Sequence, residues 1–172
     1  LIFCRTRYGS PQSLHLIEDW LKTIQRAAYL ASADLAREKG PFPLFDREQY
    51  LAGRTVSELD EDVRRAIAEH SIRNALLTSI APTGTISLFA ENVSSGIEPV
   101  FAYTYRRGVL MNAGTRREEE VEDYAHRLFR KRFGDTASLP DYFVNAQTLS
   151  PREHVLVAAA AQKYVDSSIS KT

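Results

Sequence analysis

The strongest structural signal in this 172-residue chain is one long helical pattern near its start. Apolar residues recur at helical spacing from Ile17 to Leu35. Ser10-Pro11 has the form of an N-cap followed by proline at the first helical position, and Gly40-Pro41 ends the pattern. The sequence therefore predicts a single amphipathic helix over roughly residues 11–39.

Shorter helical patterns follow along the chain. Asp46–Leu51 has the length of a short helix, and Ser57-x-x-Asp60 resembles a weak capping box that opens a helix through Ala68. Apolar residues within Glu118–Phe133 lie on one helical face, and Gly134 follows as a stop. Ser150-Pro-Arg-Glu153 is a full capping signature and opens a last helix through about Tyr164.

Two stretches predict strands. Residues 75–80 form an apolar run before Pro82, and Phe101–Tyr105 alternates and is rich in aromatic residues. Strands that alternate with helices favour a parallel sheet with its helices outside. The expectation is an α/β, helix-rich unit with two or three short strands, which is too few to close a barrel.

Composition narrows the class of protein. The formal net charge is zero and the pI is about 7.1, so no basic field favours nucleic acid or an anionic membrane surface. No run of about 18 apolar residues predicts a membrane span, and no signal peptide is visible. Cys4 is the only cysteine, which rules out an internal disulfide framework and fits a reducing cytosol. The expected location is cytoplasmic.

The two ends of the chain predict that it is a segment of a longer polypeptide. The chain starts with the apolar run Leu1-Ile-Phe-Cys4 and stops at Ser168-Ile-Ser-Lys-Thr172 without a cap or a charged tail. Natural termini are usually exposed and polar. We expect residues 1–172 to be one partial domain, truncated at both ends; a small domain trimmed at disordered ends is the alternative.

The segment Ile80–Ser87 carries the clearest functional pattern. A predicted strand runs into Pro82, Thr83, Gly84 and Thr85, and a helix can start there. Glycine lets the backbone approach an anion closely, and free N–H groups in a first helical turn favour phosphate. The hydroxyls of the two threonines and of Ser87 can add donors. From the residues alone, a capped strand–turn–helix junction without a ligand is an equal alternative.

The pattern lacks the lysine of a Walker A loop. A second turn is predicted at Ser94–Pro99, where Gly96 permits an unusual backbone conformation. Its Glu98 could bind a hydroxyl, a metal or an arginine, although capping of local N–H groups is the commoner role.

The sequence favours structural and not catalytic roles for the other titratable side chains. Asp123-x-x-His126 could place two metal ligands on one helix face, but no second copy completes a set, so we expect a solvated face. Glu118–Glu120 reads as a charged helix start, and Tyr103 with Tyr105 as aromatic strand packing.

Two runs together resemble one known family. Arg73–Ser87 and Asn92–Phe101 are similar to the catalytic subunit of ribonucleotide reductase. Further similarity lies in Arg7-Tyr-Gly-Ser10, Ala28-Tyr29, Leu35-Ala36-x-x-x-Gly40-x-Phe42-Pro43 and Gln162–Thr172. It covers essentially the whole chain in order. The longer central motif and the Ser-Ile-Ser-Lys-Thr ending resemble the adenosylcobalamin-dependent class more than the di-iron class.

The resemblance implies a fold and a site. In this family a ten-stranded α/β barrel encloses a finger loop whose cysteine becomes a thiyl radical. The residues carried over from the substrate loop surround the phosphates of the ribonucleotide: Pro82, Thr83, Gly84, Thr85, Ile86 and Ser87. Within that loop the backbone N–H groups of residues 84–86 and the hydroxyls of the two threonines are the expected donors.

The resemblance also implies what the chain lacks. The finger loop and a second redox cysteine are absent, and Cys4 falls where the family has a buried helix–turn region, so a structural thiol is expected. Catalytic residues are therefore expected elsewhere in a longer parent, and the isolated segment is expected to be inactive and to bind nucleotide weakly or not at all. The implied cofactor is adenosylcobalamin, bound by the parent. The implied partners are the ribonucleotide, the rest of the subunit, a thioredoxin-like reductant and a second copy of the parent.

Two other functions stay open at this point. One is a stand-alone phosphate- or nucleotide-binding module without redox chemistry. The other is a helical interaction domain in which the Pro82–Thr85 turn is only a cap.

Overall fold

The structure is a computed structural model that describes residues 1–93, 95–110 and 115–171. Ser94, which opens the predicted second turn, and Thr172, which ends the family-like terminal motif, lie outside these residues. The helices and strands follow in chain order: a 3-10 turn Ile2–Cys4, α1 Pro11–Lys39, α2 Arg47–Ala52, α3 Arg54–Ser57, α4 Glu61–His70, α5 Gly84–Phe89, β1 Thr104–Leu110, β2 Arg116–Glu122, α6 Tyr124–Phe133 and α7 Pro151–Gln162.

The chain divides into two compact units. The first unit comprises Leu1–Leu14, Ala81–Ala158 and Ser170–Thr172, and it contains the predicted phosphate loop. The second unit comprises His15–Ile80 and Ala159–Ile169. Among the described residues no helix is long and apolar enough to cross a membrane.

Two of the three capping signatures predicted from the sequence, at Ser10 and at Ser150, are confirmed. Ser10 Oγ accepts the N–H of Ser13 at 3.2 Å, and α1 runs over Pro11–Lys39 as predicted. At α7, the Ser150 N–H donates to Glu153 Oε2 at 2.7 Å while the Glu153 N–H donates back to Ser150 Oγ at 3.4 Å. This reciprocal pair satisfies two N–H groups that the helix leaves without intrahelical partners.

The core of the second unit forms where α1 meets α3 and α4. Tyr29 supplies the largest fully buried side chain, and Val63 and Ile67 lie one turn apart on the apolar face of α4. Each such side chain contributes about 1.5–3 kcal/mol when it is fully buried.

The capping box predicted at Ser57-x-x-Asp60 is wrong. Ser57 is the last residue of α3, and its hydroxyl donates to Arg54 O. Asp60 is the N-cap residue of α4, but its side chain makes no capping hydrogen bond.

Asp166 organises the segment that was predicted to be a strand at residues 75–80. Its carboxylate accepts the N–H groups of Leu77 and Thr78, each at 2.8 Å, and the hydroxyl of Tyr29 at 3.1 Å. Burial raises the pKa of Tyr29 and the charge of Asp166 raises it further, so the phenol stays protonated and donates. The strand prediction is wrong because these backbone groups bind a side chain; one isolated bridge, Ile80 to Ile169, is the only strand-like pairing described there.

The sheet in the described residues is a two-stranded antiparallel ribbon, β1 with β2. The predicted parallel sheet is therefore wrong, since a parallel pair needs a crossover of a dozen or more residues and these strands follow each other closely. The predicted strand at residues 101–105 starts later, at Thr104.

The glutamate run belongs to the ribbon and not to a helix start. In the register, Glu120 faces Arg106 and Glu119 faces Arg107, so cross-strand charge pairing favours β structure over residues 118–122. The helix begins only at Tyr124, where Asp123 Oδ1 accepts the N–H of His126 at 2.9 Å, and it ends at Gly134 as predicted.

Gly9 allows the N-terminal segment to lie against α7. Its φ is +79°, and a Cβ built on it would meet Glu153 Cβ at 2.6 Å. Arg7 also binds this glutamate, with its Nη2 2.8 Å from Oε1. The Arg7-Tyr-Gly-Ser10 motif therefore needs glycine both for its conformation and for the close approach.

Gly9→Ala should lower the free energy of unfolding by about 3 kcal/mol, because strain at positive φ adds to overpacking. Gly40→Ala is the matched control, since Gly40 has φ +76° but nothing within 4 Å of a built Cβ, and it should cost about 1 kcal/mol. Urea denaturation of both variants measures the difference. Equal losses would show that the segment next to Glu153 yields to the added methyl group.

Candidate functional site

The predicted phosphate loop lies on the surface of the first unit, at the start of α5. Gly84, Thr85 and Ile86 are exposed, and the Ile86 side chain is 68% exposed. Within the described part of the chain, no carbonyl or side chain accepts the backbone N–H groups of these three residues. The three amides that the sequence predicts as phosphate donors thus belong to exposed residues and have no acceptor in the described ranges.

Thr83, the N-cap of α5, has an unusual backbone conformation. Its φ is 49° and its ψ is 24°, in the left-handed region that a β-branched residue rarely adopts. Such a residue costs on the order of 1–3 kcal/mol and persists only where its surroundings enforce it. Its side chain makes no cap bond to α5; instead Oγ1 accepts the N–H of Gly96 at 2.7 Å.

The second predicted turn therefore contacts the first. Gly96, with φ 58°, lies in a turn closed by the Glu98 N–H, which donates to Ser95 O at 3.0 Å. The Tyr8 hydroxyl donates to Ile97 O at 2.8 Å. Burial raises the pKa of Tyr8, and the charge of Glu98 raises it further, so the phenol remains a donor.

Glu98, for which the sequence left several partners open, pairs with a lysine of the described residues. Lys171 Nζ lies 2.5 Å from Glu98 Oε2, and the two side chains are 13% and 23% exposed. The described residues contain no group of three or more His, Cys, Asp or Glu that could hold a metal ion.

The remaining loop residues differ in accessibility. Pro82 is exposed, whereas Ser87 is 3% exposed and its hydroxyl has no hydrogen-bond partner among the described residues. Thr85 is exposed, and Thr83 is half-buried with its hydroxyl bonded to the Gly96 N–H, whereas the Ser87 hydroxyl lies in the interior of the unit.

Two sequence interpretations outside the loop are wrong. Asp123 is 5% exposed, and the His126 side chain is 12% exposed with Nδ1 2.7 Å from Glu122 Oε1, so this pair is not a solvated face. Burial raises the pKa of Asp123. Cys4, expected to be buried, is exposed because its 3-10 turn buries none of its residues. The prediction of aromatic packing is confirmed for Tyr103, which precedes β1: its ring stacks on His126 with centroids 5.1 Å apart.

Sequence reasoning missed the contacts that join the loop to distant segments. Tyr8 lies 89 residues from Ile97, and Lys171 lies 73 residues from Glu98. Both belong to motifs on which the family resemblance rests. The resemblance of these motifs to the family was the one signal in the sequence, and it does not show which side chains contact each other.

The comparisons with known proteins agree on one family. The family model described as "Ribonucleotide reductase, barrel domain" matches residues 1–172. The chain is 32% identical over 181 residues to the "Vitamin B12-dependent ribonucleoside-diphosphate reductase" of Mycobacterium tuberculosis, covering 96% of this chain and 24% of that protein. A protein of the same description from Thermoplasma acidophilum is 32% identical over 189 residues, covering 100% of this chain and 22% of that protein.

A more distant relative carries a different description. The "Ribonucleoside-diphosphate reductase 1 subunit alpha" of Escherichia coli is 28% identical over 140 residues, which is 70% of this chain and 17% of that protein. The chain thus spans less than a quarter of the length of each of these relatives. The helix-rich structure with two strands agrees with the predicted fold class, a fragment of an α/β barrel.

Proposed function

Because the chain belongs to the ribonucleotide reductase barrel-domain family, we propose that it forms the substrate-phosphate region of a ribonucleotide reductase catalytic subunit. The parent enzyme would reduce a ribonucleotide to a deoxyribonucleotide by thiyl-radical chemistry. The relatives with 32% identity over 96–100% of the chain are named for vitamin B12 dependence and for ribonucleoside diphosphates, which supports adenosylcobalamin as the cofactor and a diphosphate substrate.

The observation that carries this proposal is the exposed start of α5. Three backbone N–H groups, at residues 84–86, have no acceptor among the described residues and lie next in sequence to the hydroxyls of Thr83 and Thr85. An anion at a helix start is stabilised by these N–H groups, and each hydrogen bond to a charged group contributes about 1.5–3 kcal/mol. Three or four such bonds are enough to orient the phosphates of a nucleotide.

The chain supplies binding, and the radical chemistry belongs to other segments of the parent. Cys4, the only thiol, cannot both form a radical and pair in a redox disulfide. We assign no cobalamin contact to the described residues. The thioredoxin-like reductant and the second copy of the parent are proposed partners on the strength of the family alone.

A hydroxyl variant in the full-length reductase tests the loop. Thr85→Val should raise the KM for the ribonucleotide about tenfold, because one hydrogen bond to a phosphate, about 1.5 kcal/mol, is lost. Steady-state formation of deoxyribonucleotide in the presence of adenosylcobalamin measures this effect. Inhibition by the unphosphorylated ribonucleoside should be unchanged, since that molecule has no phosphate for the loop to bind.

Thr55→Val is the matched control, because Thr55 is also exposed but lies on α3 in the other unit. It should leave KM unchanged. If Thr85→Val and Thr55→Val have the same KM, or if the nucleoside loses inhibition in parallel with the nucleotide, the loop does not bind the phosphates.

A further inference from the structure

The conformation of Thr83 requires a restraint from outside α5. The residue is β-branched at φ 49°, and its side chain forms no bond to its own helix. The one hydrogen bond described for its hydroxyl comes from the Gly96 N–H at 2.7 Å. The position of Gly96 therefore helps to set the backbone of Thr83, and with it the direction of the next three N–H groups.

Two contacts hold the turn that carries Gly96. The Tyr8 hydroxyl, on a residue only 7% exposed, donates to Ile97 O. Lys171 pairs with Glu98 at 2.5 Å. These anchors come from opposite ends of the chain, yet they act on consecutive residues of one turn.

The low exposure of the Lys171–Glu98 pair makes it an effective anchor. Water screens exposed ion pairs strongly, so these contribute little, whereas partly buried pairs interact more strongly. The Lys163–Glu18 pair provides the contrast: its distance of 2.6 Å is similar, but its lysine side chain is 59% exposed. The two pairs share their chemistry and differ in burial and location.

We propose that Lys171 and Tyr8 are positioning residues for substrate phosphate: through Glu98 and Ile97 they hold the Gly96 amide against Thr83 and thereby keep the α5 amides arranged for an anion. This rests on the proposed function of the loop. Loss of either anchor lets Gly96 move away and lets Thr83 relax toward negative φ. Phosphate binding then weakens, while the chemistry at the ribose is unaffected once the nucleotide is bound.

The test uses Lys171→Met and Tyr8→Phe in the full-length reductase. Each should raise the KM for the ribonucleotide about tenfold with kcat within about twofold, since binding and not chemistry is lost. Lys171→Arg should restore most of the affinity. Lys163→Met, which removes the exposed pair, should leave both constants unchanged.

A coupling measurement separates positioning from general stability. In a Thr83→Ala background, where the Gly96 contact is already lost, Lys171→Met should add less than about twofold to KM, because the two changes act through one contact. Effects that multiply in the double variant would overturn the proposal, as would a KM for Lys171→Met equal to that for Lys163→Met.

The outcomes also separate this inference from the function on which it rests. If Thr83→Ala and Thr85→Val leave KM unchanged, the loop does not bind phosphate and both ideas fail. If those variants raise KM but Lys171→Met and Tyr8→Phe do not, only the positioning role is overturned. Should Lys171→Met fail to fold, Tyr8→Phe decides the question, because it removes a single oxygen atom.

Discussion

Gly84→Asp should raise the KM of the full-length reductase for its ribonucleotide about 100-fold or more without destabilising the fold. A carboxylate at the first position of α5 would stand where the phosphate is proposed to bind. Two unit charges 4 Å apart repel by about 4 kcal/mol at an effective dielectric constant of about 20. Steady-state kinetics gives the loss of binding, and urea denaturation gives the stability.

The fold should tolerate this change. Gly84 has nothing within 4 Å of a built Cβ and does not have a positive φ. An acidic residue in a first helical turn is favourable by about 0.3–1 kcal/mol. Gly84→Ala is the control for the added Cβ and should alter KM by less than about threefold. Equal KM values for the aspartate and alanine variants would show that no anion binds at this helix start.

Asp166→Ala should lower the free energy of unfolding by about 4 kcal/mol, the largest stability loss that we expect in this chain. It would leave the N–H groups of Leu77 and Thr78 and the buried hydroxyl of Tyr29 without their acceptor. Each buried donor left unpaired costs about 1–3 kcal/mol. Urea denaturation measures the total, and hydrogen exchange at residues 77 and 78 should accelerate.

Two variants calibrate that loss. Tyr29→Phe removes one of the bonds and should cost about 1 kcal/mol. Asp34→Ala removes a carboxylate that is 71% exposed and pairs with Arg37 at 3.6 Å on the same helix, so its effect should stay within about 0.5 kcal/mol. An Asp166→Ala loss no larger than that of Asp34→Ala would mean that water replaces the carboxylate without cost.

Local signals predicted the helices well. The Ser10-Pro11 start and the Gly40-Pro41 stop gave α1 within the observed bounds, and the Ser150–Glu153 capping box placed α7 correctly. These signals work because each cap is satisfied by residues three or four positions away. Predicting these helix ends therefore requires no information about residues far away in the sequence.

Errors occurred where long-range partners decide the structure. Residues 75–80 have the apolar character of a buried strand, but their N–H groups bind Asp166, which lies almost 90 residues later. The Glu118–Glu120 run has helical composition, but it pairs across the ribbon with arginines of β1. A periodic pattern records which side chains are apolar and not which backbone groups meet.

The candidate site divides in the same way. The sequence alone points to residues 82–87, because a glycine- and threonine-rich junction before a helix is a local feature, and phosphate binding there stays a prediction. The left-handed Thr83 and the burial of Ser87 could not be predicted, since one depends on Gly96 and the other on the packing of the first unit.

The Asp166 contacts also bear on the order of events during synthesis. Translation at about 5–20 residues per second needs roughly 4–18 s to extend the chain from Leu77 to Asp166. During that interval α1 and α4 can already pack, but Tyr29 and the two amides have only water to bond. The last step in folding of the second unit on the ribosome should therefore be formation of the Asp166 hydrogen bonds. Until they form, the nascent chain should stay sensitive to proteases near residue 77.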